Sequence, residues 1–144
     1  RYRIITFMSY GRRQIEDHLF KTGTANLGNA NGASRIVMVQ DFKSVQLELA
    51  ASADADMTVT FYKSDQEVIP DPTQAASFSN SYEPVAIRDN DDSVLYNGST
   101  GVALTGSEQQ SFEVQTNGSR WVFAVISNYV AGSVQIRVKA YTNE

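Results

Sequence analysis

The stretch Asn117–Glu144, NGSRWVFAVISNYVAGSVQIRVKAYTNE, decides the fold class. Its second half alternates strictly. Val134, Ile136, Val138 and Ala140 point one way, while Gln135, Arg137 and Lys139 point the other, as a half-buried strand requires. Its first half does not alternate. In RWVFAVIS, Trp121, Phe123 and Val125 are apolar, and so are Val122, Ala124 and Ile126, so this strand has no polar face and needs cover on both sides. Asn117-Gly118 precedes it, a dipeptide that tolerates positive φ and predicts a type I′ hairpin between FEVQT and RWVFAV. NYVAG (128–132) is expected to turn the chain into the last strand.

The same period of two recurs upstream, and helical periodicity is nearly absent. KSVQLELA places Val45, Leu47 and Leu49 opposite Gln46 and Glu48. DMTVTFYKS places Met57, Val59 and Phe61 opposite Thr58, Thr60 and Tyr62, and SFEVQT turns Phe112 and Val114 inward. Further strands are expected at 1–8, near 15–21, at 34–42, at 83–89, near 94–96 and at 101–105, giving about eight to ten in all. Antiparallel strands of this kind bury their apolar faces by stacking or closing. The expected fold is an all-β antiparallel β-sandwich of jelly-roll type, with a barrel as the alternative. A chain of 144 residues is one domain by length, spanning 1–144. Two loops stand out. Residues 21–34 are rich in Gly and Asn, and residues 64–84 contain all three prolines; a loop as long as the second usually serves binding or assembly.

Composition narrows the function. There is no cysteine, so disulfides, thiol catalysis and Cys-ligated metals are excluded. A net charge of -4 argues against nucleic acid as a partner, because phosphate contacts need clustered Lys and Arg. No apolar run approaches the length of a membrane span, and no membrane partner is expected. Charge is unevenly placed. Arg1, Arg3, Arg12 and Arg13 precede the first acid, Glu16, whereas acids dominate from Asp54 to Asp92. Residues 1–13 read either as solvated surface or as a basic N-terminal arm that docks on the acidic face of a neighbour. The sequence starts at Arg1, which points to a trimmed precursor, a processed protein or a partial start.

Catalytic constellations are lacking. His18 is the only histidine, no G-x-S-x-G elbow accompanies the serines, and the expectation is no enzyme and no cofactor. Glu16 and His18 share a strand face but fall short of the four ligands of a structural zinc site. Asp89, Asp91 and Asp92 are candidate calcium ligands outside any EF-hand register. Asn97-Gly98-Ser99 and Asn117-Gly118-Ser119 match the glycosylation pattern and read better as turns. Tyr82, Tyr96 and Tyr129 are candidate stacking faces for carbohydrate. For the doubly apolar strand two sources of cover are open, a segment of the same chain or a neighbouring subunit. On the second, Trp121, Val122, Phe123 and Ile126 are interface candidates, together with the four N-terminal arginines.

From Thr58 to Asn143 the chain resembles a small β-sandwich domain of tailed-bacteriophage virion structural proteins. The matching features are a strand ending at Ser64, then PDPTQAASFSNSYEPV with Tyr82 before the returning strand. YNGSTGVAL, FEVQTNGSRWVFAVIS and NYVAGSVQIRVKAYTN follow in order. The family pattern has Trp where Tyr82 stands. The resemblance implies a non-enzymatic virion component, a capsid decoration or auxiliary protein or a minor structural protein, located in the virion. Its partners would be other capsid or tail subunits and copies of itself. The alternative it leaves is a tail-fibre or receptor-binding carbohydrate-binding module.

Overall fold

A computed structural model describes residues 14–21 and 25–141. The expected strand at 1–8 and the basic arm 1–13, with Arg1, Arg3, Arg12 and Arg13, lie outside the described residues. Within them are twelve strands and no helix: β1 (Gln14–His18), β2 (Gly32–Ala33), β3 (Val37–Met38), β4 (Ser44–Ala51), β5 (Asp56–Ser64), β6 (Glu83–Pro84), β7 (Ile87–Asp89), β8 (Leu95–Tyr96), β9 (Val102–Leu104), β10 (Glu108–Gln115), β11 (Trp121–Ala131) and β12 (Val134–Tyr141).

The strands form two antiparallel sheets. The first runs β1-β12-β4-β10-β7-β8. In the second, β11 and β5 are central, with β2 and β3 on the free side of β11 and β6 and β9 on the free side of β5. Early and late segments thus pair from the outside inward, β1 with β12, β2 and β3 with β11, β4 with β10, and β5 with β9. That nesting of two Greek keys is the jelly roll, and the β7-β8 hairpin widens its first sheet. The expected β-sandwich is therefore present, with more and shorter strands than the sequence suggested.

The alternating positions assigned to the core are in it. Val45, Leu47 and Leu49 from β4 meet Met57, Val59 and Phe61 from β5 across the sandwich, joined by Phe112, Val114, Val134, Ile136 and Val138, all nearly solvent-free. The rings of Phe61 and Phe112 lie 6.5 Å apart and tie the two sheets together.

Two expected strands are broken. Segment 34–42 is strand only at Val37–Met38, because at Ser34 the ladder is interrupted: Ser34 N–H still donates to the Ala124 carbonyl, but its Oγ accepts the Ala124 N–H, and Arg35 N–H turns away to the Leu19 carbonyl. Segment 83–89 divides at Val85-Ala86, since Glu83–Pro84 pairs with β5 while Ile87–Asp89 pairs with β10 in the other sheet.

Neither terminal turn makes a hairpin. Ser119 N–H donates to the Thr116 carbonyl, and of the two central residues only Gly118 has positive φ (85°), which is a type II turn and not type I′. It carries the chain from β10 in one sheet to β11 in the other. Within NYVAG the turn into the last strand comes at the final residue, Gly132, and not at Asn128. β11 continues to Ala131 past a register shift between Ser127 and Ala131, where Asn128 takes φ 53°. The crossing back to β12 comes at Gly132, whose φ is 83° and where a Cβ would lie 2.5 Å from Ala55 Cα. Replacing Gly132 with Ala should cost more than about 1 kcal/mol of stability, through both backbone strain and collision with residue 55. Urea denaturation checks this.

Candidate interaction surfaces

The outer flank of β11 is the place where the sequence demanded cover. Phe123 is fully buried there. Its ring stacks on Tyr62, the residue paired with it on β5, at 5.3 Å and an interplanar angle of 13°, and meets the edge of Tyr82 at 5.5 Å. Trp121 Nε1–H donates to the Gln66 carbonyl at 2.8 Å. Tyr82 and Gln66 belong to the 64–84 loop, so the cover comes from within the chain. Val122 and Ile126 face the core on the other side. Of the four interface candidates, Val122, Phe123 and Ile126 are buried within the chain itself, and Trp121 is half-buried under the loop.

The loop that provides this cover is braced along its length. Ser64, buried at the end of β5, donates through Oγ to the Ser81 carbonyl and accepts from the Gln66 N–H. Gln66 Oε1 accepts from the Ser81 N–H at 2.7 Å and its Nε2 donates to the Val68 carbonyl. Asp71 and Asn80 exchange two hydrogen bonds, Asp71 N–H to Asn80 Oδ1 and Asn80 Nδ2 to the Asp71 carbonyl. Thr73 donates to the Asp71 carboxylate from both backbone and hydroxyl, which holds that carboxyl below its usual range. Tyr82 O–H reaches the Gln74 carbonyl at 2.6 Å. At the tip Ser77 and Asn80 exchange backbone hydrogen bonds, forming a two-residue turn that holds Phe78 entirely in solvent, at 105% of its reference exposure. Val68 and Ile69 on the same loop are also more than half exposed.

The second surface is the outer face of the first sheet. Register places His18, Arg137, Glu48 and Ser111 in one row across β1, β12, β4 and β10. Arg137 donates from Nε (3.0 Å) and Nη2 (2.6 Å) to Glu48 Oε1 and from Nη1 to Glu16 Oε2 (3.1 Å), with Lys139 Nζ 3.5 Å from Glu48 Oε2. The Arg137 hydrogen bond holds the Glu48 carboxyl below its ordinary range, and Glu48 raises the guanidinium in return. Asn90 fastens the turn after β7 onto this face, its Nδ2 donating to Gln46 Oε1 and Ser111 Oγ. Between that turn and Arg137 lies an open depression of ≈ 490 Å³ lined by His18, Glu48, Asp91, Gln109, Gln110 and Gln135, among others. The alternation of β4 and β12 marked Glu48, Gln135 and Arg137 as outward-facing. What the sequence did not show is the register that sets them side by side.

The other candidates are engaged locally. Asp89 Oδ1 accepts the Asp91 N–H and Asp92 Oδ1 accepts the Val94 N–H, so these carboxylates cap their own turn. Among the described residues no group of three or more His, Asp or Glu side chains converges, at Asp89, Asp91 and Asp92 or elsewhere. Tyr96 packs edge-on against Phe112 at 5.7 Å, and Tyr129 O–H donates to the Gly132 carbonyl. Tyr82, Tyr96 and Tyr129 sit on three different elements with their rings or hydroxyls committed to the chain, so they form no common stacking platform. Asn97 Oδ1 accepts both the N–H and the hydroxyl of Ser99, a turn as expected. Among the described residues no helix is long and apolar enough to cross a membrane.

No known protein family matches the chain, and no curated protein matches it in sequence. In structure the chain is similar to the SPBc2 prophage-derived protein YomS, with a TM-score of 0.66 at 10% identity over 94% of this chain and 99% of that one. At that identity the likeness shows a shared fold across essentially the whole of both chains.

Phe123→Ala should destabilise the protein by about 3–5 kcal/mol, as for other buried phenylalanines. It should also open the 64–84 loop to protease ahead of global unfolding, which limited proteolysis would detect. The ion cluster predicts a pH dependence. A carboxyl whose folded pKa is depressed adds stability above its unfolded value, and that stability is lost as pH falls through the folded value. Denaturation free energy should therefore decline below pH about 4.5, the ordinary value for Glu48, and Glu48→Gln should flatten part of the decline. With the Glu48 side chain 39% exposed, that part stays below about 1 kcal/mol.

Proposed function

We propose that the chain is a non-enzymatic structural component of a tailed-bacteriophage particle, a capsid decoration, auxiliary or minor structural protein that binds neighbouring virion subunits. The observation that carries this reading is the 64–84 loop. A segment braced by side-chain hydrogen bonds from Ser64 to Tyr82 holds Phe78 wholly in water at the end of a two-residue turn, with Val68 and Ile69 also exposed. A soluble monomer gains nothing from fixing a phenylalanine in solvent, whereas a contact gains from an apolar anchor whose ordering cost has already been met. The anchor differs from the one expected in the sequence: the doubly apolar strand supports the loop, and the loop offers the contact.

Two further features support the reading. The structural neighbour is described as prophage-derived, and the order of segments from Thr58 to Asn143 resembles phage virion domains. The Asp89 and Asp92 carboxylates accept backbone N–H groups of their own turn and Glu16 and Glu48 are paired with Arg137, which fits a protein that works by shape. Neither nucleic acid nor membrane enters as a partner.

In particles assembled with Phe78→Ser, quantitative mass spectrometry should show occupancy falling about tenfold, the loss typical of an interface anchor. The melting of the free protein should change by no more than about 0.5 kcal/mol, since the ring touches nothing in the fold. Absence of the wild-type chain from purified particles would refute the proposal.

A further inference from the structure

The sequence contains three Asn-Gly dipeptides, at 31–32, 97–98 and 117–118. Such a pair carries its own chemistry, because the backbone nitrogen after an asparagine can attack the side-chain amide carbon, and glycine has no side chain to shield that nitrogen. The attack needs two freedoms. The amide must be able to swing toward the nitrogen, and the peptide between the two residues must be able to rotate. The fold removes these freedoms from two of the pairs and leaves them to the third.

Asn31 Oδ1 accepts the Tyr129 N–H at 2.9 Å, and Gly32 lies in β2, paired with Ile126. Asn97 Oδ1 accepts both the N–H and the hydroxyl of Ser99 at 2.8 Å, and its carbonyl accepts the N–H groups of Thr100 and Gly101. Gly98 is packed closely on the Val85 backbone, since a Cβ there would lie 2.8 Å from it. Asn117 differs on each count. It and Gly118 are exposed, neither makes a hydrogen bond among the described residues, and nothing lies within 4 Å of where a Gly118 Cβ would stand. The turn also has a second form within reach. A flip of the 117–118 peptide converts type II to type I and keeps the bond from Ser119 N–H to the Thr116 carbonyl, and Gly118, now at φ 85°, accepts either sign of φ.

We propose that Asn117 is a site of spontaneous deamidation, which the fold confines to this one of the three pairs. The Gly118 nitrogen forms a bond to Asn117 Cγ, the bond from Cγ to the amide nitrogen breaks, and ammonia leaves with the Gly118 N–H proton. Water then opens the succinimide ring at either carbonyl, giving aspartate or isoaspartate. The isoaspartyl product places an additional carbon in the main chain of a turn whose two sides are fixed, Thr116 by its N–H to the Lys43 carbonyl and Arg120 by its N–H to the Ser64 carbonyl. The new carboxylate enters the hollow that Asn117 shares with Asp65, Ser81 and Glu83 at the root of the 64–84 loop. Chemistry at this turn therefore acts on the joint between the second sheet and its covering loop, whatever particle the chain belongs to.

The test incubates the full chain at mildly alkaline pH, below its melting temperature, and follows the three pairs by peptide mapping and mass spectrometry, with isoaspartyl methylation to mark the isomerised product. The same chain unfolded in guanidinium supplies the reference rate of each pair. In the folded chain Asn117 should convert, and relative to those reference rates Asn31 and Asn97 should lag it about tenfold or more, the factor that one or two hydrogen bonds impose on local opening. In Asn117→Gln the fast-forming product should be lost. Conversion of Asn31 or Asn97 as fast as Asn117 in the folded chain, an Asn117 that stays intact while the unfolded chain reacts, or persistence of the fast product in Asn117→Gln would each overturn the proposal.

Discussion

The structure depends on the burial of β11 from both sides. A strand with apolar residues at every position from Trp121 to Ile126 cannot lie at a wet surface, and one sandwich core can cover only one of its flanks. Val122, Ala124 and Ile126 take the core, and Trp121 and Phe123 are left to be covered by something else. The chain answers with the 64–84 loop. Ordering a segment that long costs conformational entropy that a few aromatic contacts do not offset by themselves. The loop is accordingly cross-tied by its own Ser, Gln, Asp and Asn side chains, which meet backbone groups that would otherwise face water or nothing.

This arrangement links the fold to its exposed features. Tyr82 is both a wall for Phe123 and the end of the loop, and its hydroxyl fixes the middle of the loop at Gln74. Rigidity won for the sake of burial is thus transmitted to the tip, where Phe78 projects. The opposite sheet follows a different logic. Its core side is filled by alternating aliphatics, so its outer side is free to vary, and there Arg137 bonds across three strands to Glu48 and Glu16 while glutamines and Asp91 shape a hollow. One sandwich therefore carries an apolar projection on one sheet and a polar depression on the other.

The likeness to the prophage-derived YomS spans nearly the whole of both chains at very low identity. Jelly-roll sandwiches persist at such divergence because what they require is an inward alternation and a set of turns, and many sequences meet both. What varies on such a scaffold is what the loops and outer faces present, and this chain presents the 64–84 loop and the polar row from His18 to Ser111.

The sequence by itself determined the fold class and which side chains go inside. Alternation is a local property, set by the pleat, so Val45, Leu47 and Leu49 or Val134, Ile136 and Val138 could be assigned without knowing their neighbours. It also located the long loop and the strand that needs cover. Only the tertiary structure decided which strands meet. Asn117-Gly118 specifies a turn, but whether the flanking strands pair or part to opposite sheets depends on where Ser64, Lys43 and the core lie, and those contacts are distant in sequence. For the same reason the cover of Trp121 and Phe123 was left open between two sources, and the meeting of Glu48 with Arg137 was invisible, since strand register is fixed by burial of the whole sheet and not by either strand alone.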